Sequence, residues 1–258
     1  MTFQDGYLVR LATDEDDHAA AMRLRYRVFV QELGADGPLV DHAAQMERDE
    51  FDPYFDHLVL IDRDVSPKTH DHVVGVYRLL PCDRLPQAGR FYSESEFDLS
   101  PLKASGRRLL ELGRSCVHPD HRGGAGMLHL WNALASYVLE RDIEILFGAA
   151  SLRGTDVDAL RVPLSYLFHN HLAPEPLRVR AIGAQAVPLN MLPAHEVDRR
   201  TAVGSIPALI KAYLRLGGFV GDGAFVDHDF KTTDVCLVMD TQRMSAKHRE
   251  FYIKRAEK

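Results

Sequence analysis

The 258-residue chain is 46% hydrophobic and 26% charged, the composition of a globular fold long enough to bury a substantial core. A formal charge of −6 argues mildly against a general nucleic-acid binder on electrostatic grounds. Three dispersed cysteines, Cys82, Cys116 and Cys236, form no CxxC pair, so a reducing cytoplasm is expected rather than a secreted disulfide framework.

Residues 1–17 are polar and acidic, without the apolar core of a signal peptide. The longest uncharged stretch, residues 181–194, is broken by Pro188 and Pro193 and falls short of the roughly 18–20 apolar residues of a spanning helix.

In chain order, residues 7–11 read as a strand ended by Thr13 and Asp14, an N-cap with an acidic first turn. Residues 14–31 follow as a helix, with Ala21, Leu24, Val28 and Phe29 at helical spacing. Residues 33–56 are polar and marked by Gly and Pro, long for a loop without function. Residues 57–61 and 73–80 are consecutive strands, and 109–117 (LLELGRSCV) is another. A Gly-rich break at 118–124 opens a helix over 125–141, and 143–150 is a buried-looking strand. Helices over 156–172 and 205–216 flank a Pro-rich connection, and 219–230 with 235–239 make a final strand pair. The expectation is one α/β domain over 1–258: a mixed central sheet flanked by helices, with a helical insertion before the last strand pair. Its halves are drawn at 1–122 and 123–258.

A strand, a Gly-rich turn and a helix direct free backbone N–H groups and a positive dipole end toward an anion, and Arg122 adds a charged donor. The segment from Val117 to Gly126 (VHPDHRGGAG) resembles the pyrophosphate loop of GNAT enzymes, which grips the pantetheine of a coenzyme or carrier protein. That resemblance implies Val117, Arg122, Gly123, Gly124 and Gly126 as the acyl-carrier site. In the usual loop the third residue after the Arg is Gly and the fifth is Gly or Ala; here those positions hold Ala125 and Met127. A Gly-rich turn that binds nothing is the alternative.

The first half is similar to acyl-homoserine-lactone synthases, whose motifs recur in order. Arg25 and Phe29 form Arg-x-x-x-Phe, Asp49 and Asp52 form Asp-x-x-Asp, Arg78 heads Arg-Leu-Leu-Pro, and Glu111 with Arg114 forms Glu-x-x-Arg. The Trp usual after the Phe is absent, and the single Trp131 lies elsewhere. Over nearly the whole chain, residues 25–244, the closer resemblance is to L-ornithine N-alpha-acyltransferases. It rests on FYSESEFD (91–98), ELGRSCVH (111–118), KAYLRLGG (211–218) and DHDFKTTDV (227–235).

The resemblance implies transfer of a 3-hydroxyacyl group from acyl carrier protein to ornithine, giving lyso-ornithine lipid. No cofactor is implied beyond the carrier's phosphopantetheine thioester, and no nucleic-acid partner. Acylation of glutamine by a sister group, acyl-homoserine-lactone synthesis, and a non-catalytic carrier-binding or lipid-binding module all stay open. The location implied is cytoplasmic, with peripheral contact on the inner face of the membrane left open.

Such chemistry needs a neutral amine, an electrophilic thioester and donors for a tetrahedral oxyanion. Glu111 is the first candidate base. A bulge, which Gly113 would tolerate, would bring Arg114 to the same site and leave backbone N–H groups near Cys116 and Val117 as oxyanion donors. Arg25, Asp49, Asp52 and Arg78, beside Phe29, are the expected walls around the amino acid, or else a salt-bridge cluster that folds the N-terminal lobe. Cys116 as a nucleophile finds little support beyond His118 and His121. Metal is not expected, because His169 and His171 sit about 200° apart on a helix. Leu164, Leu167, Phe168 and Leu172, near Arg178 and Arg180, read as a core-packing helix or an amphipathic surface. Arg107 and Arg108 would suit an acidic carrier.

Overall fold

The computed structural model describes residues 2–4, 6–123 and 126–243. In chain order it forms β1 (Thr2–Gln4), β2 (Tyr7–Leu11), α1 (Glu15–Arg25), a π-helical turn (Tyr26–Glu32), β3 (Val40–Asp41), β4 (Met46–Glu47), β5 (Asp56–Asp62) and β6 (Val73–Pro81). Then come α2 (Leu85–Ala88), β7 (Phe97–Asp98), α3 (Ser100–Ala104), β8 (Leu109–Val117), α4 (Gly126–Glu140) and β9 (Ile145–Arg153). The remainder holds α5 (Arg161–His171), β10 (Arg180–Ala181), β11 (Ala186–Val187), α6 (Arg199–Ser205), α7 (Ala208–Arg215), β12 (Phe219–Val220), β13 (Ala224–Asp227) and β14 (Thr232–Asp240). The described residues pack as two compact units, one within 2–88 and 112–142, the other within 89–111 and 143–243. The units are interleaved in sequence and do not coincide with the halves drawn at residue 122.

In the first unit β1, β2, β5 and β6 pair antiparallel in that order. All nine residues of β6 are buried, and β5 is buried except at its two ends. Strands covered on both faces need such continuous apolar runs. Val59 and Ile61 pack with Ala20, Ala21 and Leu24 of α1. Leu60, pointing the other way, meets α4: a Cβ on Gly126 would lie 3.0 Å from its Cδ2. Gly75 makes the same approach, since a Cβ there would lie 3.0 Å from Leu130 Cδ1.

Asp14 caps α1 by accepting from Asp17 N at 2.9 Å. The expected helix over 14–31 changes character after Arg25, where the backbone widens to i→i+5 bonding, as in Leu33 N to Val28 O at 3.1 Å. Such a turn is rare and frequent at functional sites. The long polar segment 33–56 is not bare loop but contains the β3–β4 hairpin.

In the second unit the first residues of β8 run parallel to β9, from Leu109↔Ile145 to Glu111↔Phe147. β9 pairs antiparallel with β14 along its whole length, and β13 and β11 continue outward. The helix expected over 156–172 starts only at Arg161, because Asp156 folds a turn by accepting from Asp158 N and Ala159 N. Pro207 starts α7, and α6 before it was not foreseen.

Candidate active site

Arg25 ends α1 with its side chain fully buried. Its Nε donates to Glu47 Oε2 at 2.5 Å, and its Nη1 and Nη2 donate to the two oxygens of Asp52 at 2.5 and 3.2 Å. Arg78 of β6 donates through Nη1 to Asp49 at 2.7 Å and Asp52 at 2.8 Å, and stacks 4.4 Å from the centre of the Phe55 ring. Arg114 of β8 donates through Nε to Glu47 Oε1 at 3.1 Å, with Nη2 3.5 Å from Asp49 Oδ2. The Asp-x-x-Asp spacing folds its own turn, because Asp49 N donates to Asp52 Oδ2 at 2.8 Å.

Three guanidinium groups thus meet three carboxylates away from water. Burial alone would raise the Glu47 carboxyl, but the charges of Arg114 and Arg25 outweigh it and hold it at about 2. Asp52 is depressed below the ordinary carboxylate range in the same way, burial opposing and Arg25 and Arg78 prevailing. Next to them His57 is 1% exposed, and burial drives its pKa down to about 3 although Asp52 lies beside it.

The expected residues Arg25, Asp49, Asp52, Arg78 and Arg114 therefore do converge, joined by Glu47, which the motifs did not single out. As placed, they form a closed ion-pair framework rather than an open wall for an amino acid. Side-chain exposure is 0% for Arg25, Arg78 and Glu47, 2% for Asp49 and 4% for Asp52, and rises to 10% only at Arg114. Arg114 is the edge through which this framework meets anything outside it.

Arg114 also bends its strand. Its φ of +49° is left-handed, where a residue with a side chain is strained by about 1–3 kcal/mol. The irregularity expected at Gly113 falls one residue later, and the two carboxylates that hold Arg114 hold it in that conformation. Directly after it, Ser115, Cys116 and Val117 line a cavity of about 330 Å³ together with Val28, Phe29 and Met127. Phe29 belongs to this cavity and to the α1 core cluster; the amino-acid framework does not include it. Burial pushes the Cys116 thiol up to about 12, so it is an inert wall and not a nucleophile.

The loop after β8 carries Arg122 to the cavity rim, but not as a free anion receptor. Its Nε donates to Val117 O at 2.9 Å, and Nη1 and Nη2 each donate to one oxygen of Glu32 at 2.7 Å. Gly123 takes a φ of +78° and lines the cavity. Gly124 lies outside the described residues. Gly126 serves close packing of α4 on Leu60, which accounts for it without a ligand.

Glu111, the first candidate base, belongs to the second unit and is held by the 92–95 turn. It is 1% exposed and accepts from Tyr92 N at 2.8 Å, Ser93 N at 2.7 Å and Ser93 Oγ at 2.6 Å. Both oxygens accept from the 92–95 turn, which accounts for the FYSES sequence. Arg107, expected to face a carrier, is bound to Asp240 at 2.6 and 2.9 Å, leaving Arg108 exposed. Leu164 and Leu167 are fully buried, so α5 packs in the core. The histidine pairs read for metal make no cluster among the described residues, whereas Glu96, Asp227 and Asp234 offer carboxylate oxygens within 4.8 Å of one another. Periodicity had no means of finding that group.

A family model described as an acetyltransferase (GNAT) domain matches residues 24–132. The L-ornithine N(alpha)-acyltransferase of Rhodobacter capsulatus is 62% identical over 97% of this chain and 96% of its own length. The enzyme of the same name from Brucella abortus is 37% identical, over 95% and 88% respectively. Among solved structures, the CoA-dependent acyl-homoserine lactone synthase BjaI aligns with a TM-score of 0.54 at 16% identity, over 98% of this chain and 90% of that one. Another such synthase, MesI, gives 0.50 at 14% identity, over 97% and 96%. At those identities the structures speak for the fold alone: a mixed α/β sheet of the GNAT type flanked by helices.

Proposed function

Because the chain belongs to the L-ornithine N-alpha-acyltransferase family and is an acyltransferase, we propose that it moves a 3-hydroxyacyl group from acyl carrier protein to the α-amino group of L-ornithine. The product is lyso-ornithine lipid. The observation that carries this reading is the 62% identity spread over essentially the full length of both chains.

The amine nitrogen attacks the thioester carbonyl, the C–S bond breaks, and the carrier's thiol leaves with the amine proton. An α-amino group titrates near 8 in peptides and higher beside the carboxylate of a free amino acid, so only a small fraction is neutral at pH 7, and desolvation at the site favours that form. The thioester arm runs along the cavity behind β8, whose apolar walls of Val28, Phe29 and Met127 exclude water and whose volume suits a small-ligand site. The backbone N–H groups of Cys116 and Val117, just past the bend at Arg114, serve as the oxyanion donors. Arg114, the most exposed member of the buried framework, takes the ornithine carboxylate. Glu111 positions the start of the same strand through the 92–95 turn.

The working place is the cytoplasm, at the inner face of the membrane that receives the lipid product. No helix among the described residues is long and apolar enough to cross a membrane.

Purified protein incubated with 3-hydroxyacyl carrier protein and ornithine should release free thiol and form a product with the mass of N-acyl-ornithine. Thiol release only with glutamine would move the chain to another acceptor. A homoserine lactone from S-adenosylmethionine would replace the reading altogether.

A further inference from the structure

The one expected donor-binding cation, Arg122, is already occupied by a carboxylate of its own chain. The π-helical turn ends on Glu32, whose two oxygens each lie 2.7 Å from Arg122, one on Nη1 and one on Nη2. This is the fork geometry in which a guanidinium otherwise takes a phosphate. Both side chains line the 330 Å³ cavity. They are 33% and 41% exposed, so the pair stands in solvent at the rim, where partners exchange readily.

The charges around it have the same bias. Arg27, a further cation beside the loop, is bound to Asp71 and contacts His118. Asp120 projects from the loop with its side chain 85% exposed. Met127, at a position that is Gly or Ala in the usual pyrophosphate loop, forms part of the cavity wall.

We propose that Glu32 is a specificity residue that selects the singly phosphorylated pantetheine arm of a carrier protein over coenzyme A. The inference rests on the function proposed above. A single phosphodiester can replace Glu32 on Arg122 one for one. Coenzyme A brings a diphosphate and a ribose phosphate to the same rim, where Glu32 and Asp120 repel the charge that Arg122 cannot neutralise.

The test uses the full chain, wild type and Glu32→Gln, with Glu32→Ser as a second variant that lacks the amide's hydrogen bond to Arg122. Steady-state kcat/KM is measured with 3-hydroxyacyl-coenzyme A and with 3-hydroxyacyl carrier protein at fixed ornithine. Both variants should gain about tenfold with the coenzyme A donor, the size of one unfavourable charge contact removed, and about threefold or less with the carrier. An unchanged ratio between the donors, or a gain confined to the carrier, overturns the proposal.

Binding of coenzyme A itself, followed by calorimetry without ornithine, separates the two failures. Tighter binding by the variants with no acyl-ornithine from any form keeps the charge selection and discards the ornithine reading. Acyl-ornithine from every form with no change in donor ratio or coenzyme A affinity discards the role of Glu32 alone.

Discussion

The first unit contains two sets of arginine–carboxylate contacts with nearly the same geometry and opposite surroundings. Around Arg25 six charged side chains interlock with exposures of 0–10%, whereas Arg122 and Glu32 meet with more than 30% of each side chain in solvent. A desolvated ion pair strongly resists losing a partner, because the charge left behind has no water to turn to. A solvated pair loses little when broken. The framework thus fixes the backbone of β8 at Arg114, while the pair at the cavity rim is free to trade one anion for another.

Removing one carboxylate from the framework should produce the largest effect. Asp52→Asn leaves Arg25 and Arg78 short of a shared counter-charge, and a loss of about 3–5 kcal/mol in urea unfolding is expected. A midpoint within experimental error of the wild type would show that water enters the cluster and that the contrast between the two sets is false.

Glu111 sharpens the contrast, since it is equally buried but is satisfied by neutral donors. In Glu111→Gln the amide NH₂ faces N–H groups that previously found an acceptor, so a smaller loss of about 1–3 kcal/mol is expected, with turnover falling alongside stability. Full stability with abolished turnover would restore Glu111 as the base.

The framework also predicts a pH response. Glu47 sits at about 2, below its ordinary 4.5, and His57 at about 3, below its ordinary 6.5. In both cases the unfolded chain takes up a proton at a pH where the folded chain refuses it, so both contributions are present above the ordinary values and are lost on acidification. Stability should decline from about pH 6.5 toward 4.5 through His57, and more steeply below 4.5 as Glu47 and Asp52 join. Each group adds a slope of up to about 1.4 kcal/mol per pH unit. His57→Gln should flatten the segment between 6.5 and 4.5 and leave the lower one. A decline that starts only below 4.5 in the wild type would mean that His57 is hydrated and charges normally.

Much of the framework is legible in sequence, because its members recur as ordered motifs: Arg25, Asp49, Asp52, Arg78 and Arg114. Glu47 is not, since it lies in a two-residue strand whose partners are 22 and 67 positions away. The strands β5, β6, β8 and β9 stand out as long, largely apolar runs, interrupted by Arg78 in β6 and by Glu111 and Arg114 in β8, while β3, β4, β7 and β10 are too short to carry any period. The π-helical turn escapes for a related reason. Ala21, Leu24, Val28 and Phe29 suit an α-helix equally well, and only backbone bonding reveals the widening that ends at Glu32. The occupation of Arg122 by Glu32, a contact 90 residues apart, is therefore hidden although the Gly-rich turn from strand to helix is legible.

The smallest expected effect is the one that decides what the rim pair is for. Glu32→Gln should change urea stability by about 0–1 kcal/mol, as solvated pairs do, and that little should shrink further at 1 M salt, where the Debye length is about 3 Å. Arg122 keeps its bond to the Val117 carbonyl in the variant, so the loop retains an anchor. If instead Glu32→Gln costs as much as Asp52→Asn, the pair is a structural clamp that no donor phosphate would displace, and the two sets of contacts would do one job. A negligible cost beside an altered donor preference would confirm that the chain uses solvent exposure to separate the charges that hold its shape from those it can exchange.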